Sequence, residues 1–291
     1  ANLWTHFILP FKCGDILFCP ANIAPIYLPK NKKLVVTIHD VAFLTYSGSF
    51  SNFFRIYYKF IMPIIIKRAD KIITVSTYSK NEIEKYYPLS KRKIEVIHLG
   101  FDKSFKVYDY TKKKNQILYV GSMNKRKNFI GVIKAFELLN RKDYELLIVG
   151  NFSTNFSIDD NDKIILEKIK ENSNIHFTSN INNTELIKIY NDSKLFLFPS
   201  FYEGFGLPVL EAMACGTPVV CSDSSSIPEV GGDAVVYCNA YDINDIKDKI
   251  ELVLKDSSLQ QEMIKKGLER AQLFSWDKSA DEHIKVFKSL L

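Results

Sequence analysis

Two glutamates flank a glycine-containing turn in the segment PSFYEGFGLPVLEAMACGTPVV, residues 199–220. Glu203 precedes Gly204 and Gly206, and Glu211 follows a Leu-Pro pair that is typical of the first turn of a helix. Glycine lets the backbone approach a ligand closely, and the amides at a helix start form a site for a diphosphate. Those amides belong to Phe205, Gly206 and Leu207. Because carboxylates accept hydrogen bonds from sugar and ribose hydroxyls, the spacing indicates a site for a phosphorylated sugar or nucleotide.

This segment resembles the E-x7-E signature of the large retaining glycosyltransferase family with the GT-B fold, in particular its bacterial mannosyl- and rhamnosyltransferase-like members (family 4-like). The resemblance extends through nearly the whole chain, because other segments are similar to further landmarks of that family. These segments are VTIHD (36–40), VSTYSK (75–80), HLGFD (98–102), YVGSMNKRKN (119–128), SSSIPEVGGDAVV (224–236) and FSW (274–276). The resemblance implies two Rossmann-like, doubly wound domains that face a cleft.

The resemblance also implies roles for individual residues. Glu211 would hold the ribose hydroxyls of the donor, and Glu203 would contact hydroxyls of the transferred sugar. Arg126 and Lys127 would neutralise the diphosphate, and His39 would reach the donor sugar near the reacting carbon. The implied catalytic set is His39, Arg126, Lys127 and Glu203. The implied donor-binding set contains Gly121, Ser122, Arg126, Lys127, Asn180, Ile181, Glu203, Gly204, Phe205, Gly206, Leu207 and Glu211.

The chemistry implied by this family does not need a metal or a cofactor. Negative charge builds on the departing diphosphate, and fixed positive groups beside it lower the barrier. Retention in this family is usually attributed to attack on the face from which the diphosphate departs, with the leaving phosphate taking the proton of the acceptor. The pattern Asp160-Asn161-Asp162 also matches the D-x-D motif of metal-dependent glycosyltransferases of another fold. Acidic residues before a helix are common caps, and we favour that interpretation here.

The elements that must position these residues follow a regular alternation. Short β-branched or aromatic runs are separated by segments of helical period. We predict ten strands, at residues 15–20, 34–39, 71–76, 94–99, 116–121, 144–150, 174–179, 195–200, 218–222 and 234–238. Apolar strands that alternate with helices predict parallel sheets in α/β layers. The glutamate segment then opens at a strand end, where open α/β sheets bind ligands.

A polar, lysine-rich break at residues 103–115 divides the chain. We predict an N-terminal acceptor-side domain at 1–107, a nucleotide-sugar-binding domain at 108–273, and a final helix at 274–291 that returns to the first domain. The first strand pattern begins only near Asp15, so we expect a truncated N-terminal domain that lacks its central strand. Such a chain should bind the donor, transfer sugar poorly and associate through exposed strand edges.

The charge is unevenly distributed. Residues 1–114 contain 19 Lys and Arg against 8 Asp and Glu, whereas the remainder contains 20 against 25. A basic N-terminal half favours an anionic partner, either a lipid-linked phosphate or an anionic membrane surface, over nucleic acid; a solvated basic surface is the alternative. The aromatic and basic stretch FSNFFRIYYKF (50–60) is predicted to be a partly buried helix that can contact a membrane or a lipid acceptor. No apolar run is long enough for a membrane span. The five cysteines have no metal-ligand spacing and indicate reduced thiols, so we expect a cytoplasmic protein, peripheral at the membrane.

The resemblance implies a retaining, metal-independent hexosyltransferase. By resemblance, the donor is a nucleotide diphosphate sugar such as GDP-mannose, and the acceptor is a glycan or a lipid-linked glycan. Two other functions fit the same residues: a pseudo-transferase that binds a nucleotide sugar without turnover, and a nucleotide-sugar epimerase or hydrolase. A product assay separates them, since only a transferase requires an added acceptor.

Overall fold

The computed structural model describes residues 2–108, 113–151 and 172–291 of the 291-residue chain. The chain folds into two compact units. The first comprises residues 1–100 and 275–291, and the second comprises residues 101–274. Each unit is built around a parallel sheet, as the strand pattern predicts. Among the described helices, none has the length and apolarity needed to cross a membrane.

The first unit contains a four-stranded sheet in the order β1-β2-β3-β4. Its strands are β1 (Ile16–Cys19), β2 (Lys33–Thr37), β3 (Lys71–Thr74) and β4 (Ile94–Val96). Its helices are α1 (Asn2–Phe7), α2 (Leu9–Lys12), α3 (Ala42–Thr45), α4 (Asn52–Arg68) and α5 (Thr77–Tyr86), together with α12 (Trp276–Lys288) at the end of the chain. Within the described ranges, β1 is an edge strand that pairs with β2.

Both faces of this sheet are covered, which explains its nearly continuous apolar strands. On one face, Leu34, Val36 and Ile72 pack with the buried side of α4, which includes Ile65 and Ile66. On the other face, a smaller cluster joins β2, β3 and α12; it consists of Val35, Ile73, Ile97 and Val286. Helix α12 therefore belongs to the first unit, although it follows the second in sequence.

The second unit contains a six-stranded sheet in the order β10-β9-β8-β5-β6-β7. Its strands are β5 (Lys114–Val120), β6 (Glu145–Val149), β7 (Ile175–Thr178), β8 (Ser193–Phe198), β9 (Val219–Ser222) and β10 (Val236–Cys238). Its described helices are α6 (Phe129–Leu139), α7 (Asn183–Asp192), α8 (Leu207–Ala214), α9 (Ile227–Gly231), α10 (Ile243–Lys255) and α11 (Ser257–Ala271). The strand order reverses between β5 and β8, and ligands bind at such a switch point in open α/β sheets.

All ten predicted strands are present, most with shorter ends. The unit boundary lies between Gly100 and Phe101, whereas the sequence places it between residues 107 and 108. The intervening residues pack on the second unit, because the Phe105 ring meets the Tyr190 ring at 6.1 Å and the Tyr108 amide donates to Asn191 Oδ1 at 2.9 Å. The sequence did not predict these contacts, because the polar composition of this segment indicated a linker. Strand β5 begins at Lys114, inside the predicted break.

Gly100 has no side chain, which allows the start of α12 to pack directly against its backbone. A Cβ atom at this position would overlap the backbone of Ser275 and Trp276. We expect Gly100→Ala to lower the free energy of unfolding by about 1–3 kcal/mol, the usual cost of overpacking. The matched control is Gly14→Ala, because a Cβ there meets open space. Chemical denaturation of both variants checks this, and equal stabilities would contradict the packing of α12.

Candidate functional site

Most of the predicted donor-binding residues of the second unit gather at its switch point. Residues 121–128 follow β5, and residues 199–206 follow β8. Helix α8 begins at Leu207, where the Leu-Pro pair predicts it. The residue before it, Gly206, has φ +126°, a backbone conformation that is unfavourable for residues with a Cβ atom. The free amides of this helix start therefore lie at the carboxyl edge of the sheet.

The loop after β5 is fixed by two asparagines. Asn124 caps a short 3-10 turn, since its Oδ1 accepts from the Lys127 amide at 3.1 Å. Asn128 has a left-handed conformation, and its Nδ2 donates to the Pro199 carbonyl at 3.1 Å and to the Ala240 carbonyl at 2.8 Å. The Arg126 carbonyl accepts from the Phe201 amide at 2.9 Å. The basic loop is thereby joined to the loop that follows β8.

Two cations share one carboxylate in this site. Lys127 Nζ lies 2.6 Å from Glu203 Oε1, and Arg126 Nη1 lies 3.3 Å from Glu203 Oε2. Arg126 Nη1 also donates to the Tyr202 carbonyl at 2.6 Å. The side chains of Lys127, Arg126 and Glu203 are only 13%, 18% and 9% exposed. We refer to these three residues as the ion cluster.

The ion cluster carries surplus positive charge. Burial of Glu203 disfavours its ionised form, but the charges of Lys127 and Arg126 outweigh that effect and lower its pKa. Glu203 is therefore ionised at neutral pH, and one negative charge faces two positive ones. A buried surplus charge beside a helix start favours an anion.

The backbone around Glu203 is held by serines that follow β9. Ser226 Oγ lies 2.8 Å from both the Glu203 and the Phe205 carbonyl oxygens, and Ser225 Oγ accepts from the Glu203 amide at 2.9 Å. The family resemblance includes these serines in the segment 224–236 but implies no role for them. Their position after a buried strand was the available signal.

Glu211 lies on α8 and is mostly buried. Its Oε2 accepts a hydrogen bond from the Tyr190 hydroxyl at 3.1 Å. Burial raises the pKa of Glu211 to about 7, and the bond from Tyr190 acts in the opposite direction. The sequence did not point to Tyr190, because its apolar surroundings on α7 resemble an ordinary helix core.

The other predicted donor-binding residues lie along the same edge of the sheet. The Gly121 amide donates to the Val149 carbonyl at 2.9 Å, and Ser122 Oγ accepts from Asn124 Nδ2 at 2.7 Å. Asn180 follows β7, has φ +56°, and its Oδ1 lies 3.4 Å from Asn151 Nδ2. Gly121 and Ser122 thus lie on the same loop as Arg126 and Lys127. Asn180 and Ile181 are farther along the edge, because two strands separate β8 from β7.

His39 belongs to the first unit and follows β2. Its amide donates to Asn22 Oδ1 at 2.8 Å, and its Nε2 lies 3.1 Å from the Pro20 carbonyl, so this nitrogen carries the donated proton. The ring lines a mainly apolar cavity of about 270 Å³, with walls that include Phe18 and Trp276. The catalytic role of His39 stays a prediction.

The metal alternative falls on residues that the structure does not describe, because Asp160–Asp162 lie between positions 151 and 172. In the described part of the chain, no group of three or more His, Cys, Asp or Glu side chains is placed to hold a metal ion. Metal independence stays a prediction.

The raised pKa of Glu211 has a consequence for stability. The folded carboxyl keeps a proton that the unfolded chain loses above its ordinary pKa of 4.5, so stability falls as pH rises from about 4.5 to about 7. We expect Glu211→Gln to stabilise the ligand-free protein by about 2 kcal/mol at pH 8 and by much less at pH 5. Glu137→Gln, on the exposed side of α6, is the control and should show no such pH dependence. Denaturation at both pH values checks this, and equal gains at pH 5 and pH 8 would contradict it.

Two family models match the chain. The model described as glycosyl transferases group 1 covers residues 100–270, and the Glycosyltransferase Family 4 model covers residues 15–105. A solved structure, sucrose-phosphate synthase from Thermosynechococcus elongatus, superposes with a TM-score of 0.75 at 23% identity, over 89% of this chain and 68% of that chain. This similarity shows a shared GT-B fold.

Curated relatives are similar over most of this chain. O-antigen chain mannosyltransferase B of Escherichia coli is 31% identical over 279 residues, which cover 91% of this chain and 72% of the relative. Serotype-specific mannosyltransferase WbdA of Escherichia coli is 29% identical over 245 residues, which cover 77% of this chain and 29% of that relative. Since the group 1 model spans more than half of the chain and the first relative exceeds 30% identity, the chain belongs to the glycosyl transferases group 1 family.

Proposed function

We propose that this glycosyltransferase moves mannose from a nucleotide diphosphate donor, GDP-mannose, to a glycan or lipid-linked glycan acceptor with retention of configuration. The observation that carries the donor class is the buried ion cluster at the switch point, where two cations face one carboxylate beside a helix start. The proposed sugar follows from the two relatives, O-antigen chain mannosyltransferase B and serotype-specific mannosyltransferase WbdA, since both are named as mannosyltransferases. The chain spans only 29% of WbdA, so the acceptor is proposed as a class alone.

The ion cluster supplies the electrostatic part of the reaction. As the bond between the sugar and the diphosphate breaks, negative charge grows on the leaving phosphate, and Lys127, Arg126 and the start of α8 stabilise that charge. Because these positive groups are already fixed, we propose that no metal is required. The leaving phosphate takes the proton of the acceptor hydroxyl on the face from which it departs, which gives retention.

The two glutamates divide the remaining contacts of the donor. Glu211 accepts hydrogen bonds from the ribose hydroxyls. Glu203 keeps lone pairs beyond those used by Lys127 and Arg126, and these accept from hydroxyls of the transferred sugar. Asn180 and Ile181, after β7, lie near the base.

The donor assignment is tested with Lys127→Met, which removes the charge and keeps most of the side-chain volume. Charge-assisted hydrogen bonds contribute about 1.5–3 kcal/mol, so we expect the affinity for GDP-mannose to fall at least tenfold. The control is Lys134→Met, because Lys134 is exposed on α6. Isothermal titration calorimetry measures both, and equal affinities in two folded variants would remove the ion cluster from the donor site.

The same preparation tests the reaction type. With an added mannan acceptor, we expect transfer in the presence of EDTA and an α-linked product from the α-linked donor, as read by NMR. Loss of transfer that Mn²⁺ restores would revive the metal alternative at Asp160–Asp162. Conversion of the donor without an acceptor would favour an epimerase or hydrolase, and binding without turnover would favour a pseudo-transferase.

A peripheral membrane site on the first unit forms part of this proposal. Helix α4 buries one face in the core, yet its outer face is apolar as well. Phe53 and Phe60 are 82% and 76% exposed, and Ile56 and Ile64 are exposed between and beyond them at helical spacing. A helix that is apolar on both faces requires a second apolar environment. The core supplies the first, and we assign an anionic bilayer as the second.

Charge and neighbouring residues support a bilayer rather than a protein. Lys59 and Lys67 are exposed beside the apolar face of α4, in a half of the chain with a strong basic excess. Helix α1 lies against α4, because His6 Nε2 is 2.9 Å from the Tyr57 hydroxyl. This neighbouring part of the chain exposes further aromatic side chains, namely Trp4, Phe7 and Phe11. Apolar side chains rimmed by lysines are typical of interfacial helices.

We expect the chain to float with vesicles that contain phosphatidylglycerol and to bind pure phosphatidylcholine much more weakly. Phe53→Ser with Phe60→Ser should weaken this binding at least tenfold, since each phenylalanine loses about 1.5–3 kcal/mol of burial. The matched control is Leu138→Ser with Leu252→Ser, which removes two exposed leucines of the second unit. Equal binding to neutral and anionic vesicles would contradict the proposal. Self-association that the Phe53/Phe60 change abolishes, without vesicle binding, would also contradict it.

A further inference from the structure

We propose that Tyr190 is a positioning residue, which holds the carboxylate of Glu211 in the orientation and charge state that binds the donor ribose. The proposal rests on the proposed function, because it assumes that Glu211 faces a ribose. Tyr190 itself is fully buried, so it acts through Glu211.

The ring of Tyr190 is fixed on several sides. It meets the rings of Phe196 and Phe105 edge-on, at centroid distances of 5.4 Å and 6.1 Å. The Tyr190 carbonyl accepts from Thr217 Oγ1 at 2.6 Å, which ties the end of α7 to the loop after α8. These contacts fix the orientation of the Tyr190 ring, so its hydroxyl points toward α8.

The hydroxyl has two acceptors within reach on α8. Glu211 Oε2 lies at 3.1 Å and the Pro208 carbonyl at 3.4 Å, so Glu211 is the better placed. The apolar ring alone would satisfy the packing, and a buried hydroxyl is costly unless it is bonded. A hydrogen bond to an ionised carboxylate is roughly twice as strong as a neutral one. The hydroxyl therefore stabilises the ionised form of Glu211.

The electrostatic surroundings leave the charge of Glu211 finely balanced. Burial raises the pKa of Glu211 to about 7, and the bond from Tyr190 lowers it. Cys215 directly follows α8 and interacts electrostatically with Glu211; burial raises the pKa of Cys215 to about 12, so its thiol is neutral. The charge of Lys113 works against the rise in the pKa of Cys215. Burial lowers the pKa of Lys113 itself to about 8. Near neutral pH, the bond from Tyr190 is thus the specific contact that favours the carboxylate.

This balance connects donor binding with pH. An ionised carboxylate accepts from both ribose hydroxyls, whereas a protonated one loses acceptor capacity. Donor affinity should therefore rise as pH passes upward through the pKa of Glu211. Without the Tyr190 hydroxyl, the pKa of Glu211 rises further, and the same increase in affinity moves to higher pH.

The test is Tyr190→Phe, with Tyr144→Phe as the control. Tyr144 is another buried tyrosine of the second unit, and it precedes β6, which lies between β5 and β7 in the sheet. The probe is GDP-mannose, whose diphosphate ester does not titrate between pH 6 and pH 8.5. We expect wild-type affinity to rise about tenfold from pH 6 to pH 8. In Tyr190→Phe the midpoint should shift up by about one pH unit, and Glu211→Gln should show no rise.

A second readout does not depend on the donor. In the ligand-free protein, the ¹³C-carboxyl resonance of Glu211 should titrate at higher pH in Tyr190→Phe than in the wild type or in Tyr144→Phe. Site-specific 3-fluorotyrosine at position 190 keeps the fold and is a stronger donor, so it should shift the midpoint downward. An unchanged midpoint in these variants overturns the positioning role. If the midpoint shifts in these variants but the wild-type protein binds neither GDP-mannose nor UDP-glucose at any pH, the proposed function is overturned instead.

Discussion

Glu203 lies between the cationic groups of Lys127 and Arg126, and this buried interaction joins the loop after β5 to the loop after β8. Removing Glu203 would leave two largely buried cations without a counter-charge, which is strongly destabilising. The surrounding structure keeps the three side chains together. Asn128 ties the two loops, and the serines after β9 hold the backbone of Glu203. The strand order places β5 beside β8, so that both loops emerge at one point.

The same site contains features that reduce stability. Burial of Glu211 opposes its ionisation, and Gly206 holds a backbone conformation that other residues disfavour. Natural proteins depart from local rules mainly where a ligand is bound. In the proposed function, the ribose hydroxyls of the donor offset the cost at Glu211 by donating hydrogen bonds to it, and the diphosphate places negative charge at the helix start.

The elements were predictable because each depends on local pattern. Buried parallel strands are continuous apolar runs, and the Gly-Leu-Pro sequence marks the start of α8. The contacts of Tyr190 and Asn128 were not predictable, because they join residues that are distant in sequence. Tyr190 reaches Glu211 only because α7 and α8 lie beside β8, and Asn128 reaches Ala240 only because of the strand order. The resemblance pointed to Glu203 as a sugar contact, but its pairing with both cations depends on the three-dimensional approach of the two loops.

In the proposed function, the ion cluster and the start of α8 hold the diphosphate while Glu211 holds the ribose. The most direct measurement is a crystal structure of the chain with GDP, grown without divalent metal. We expect a phosphate oxygen within hydrogen-bond distance of Lys127 Nζ, another at the Leu207 amide, and ribose hydroxyls at Glu211. A GDP molecule bound away from the ion cluster, or one whose ribose contacts no oxygen of Glu211, would contradict it.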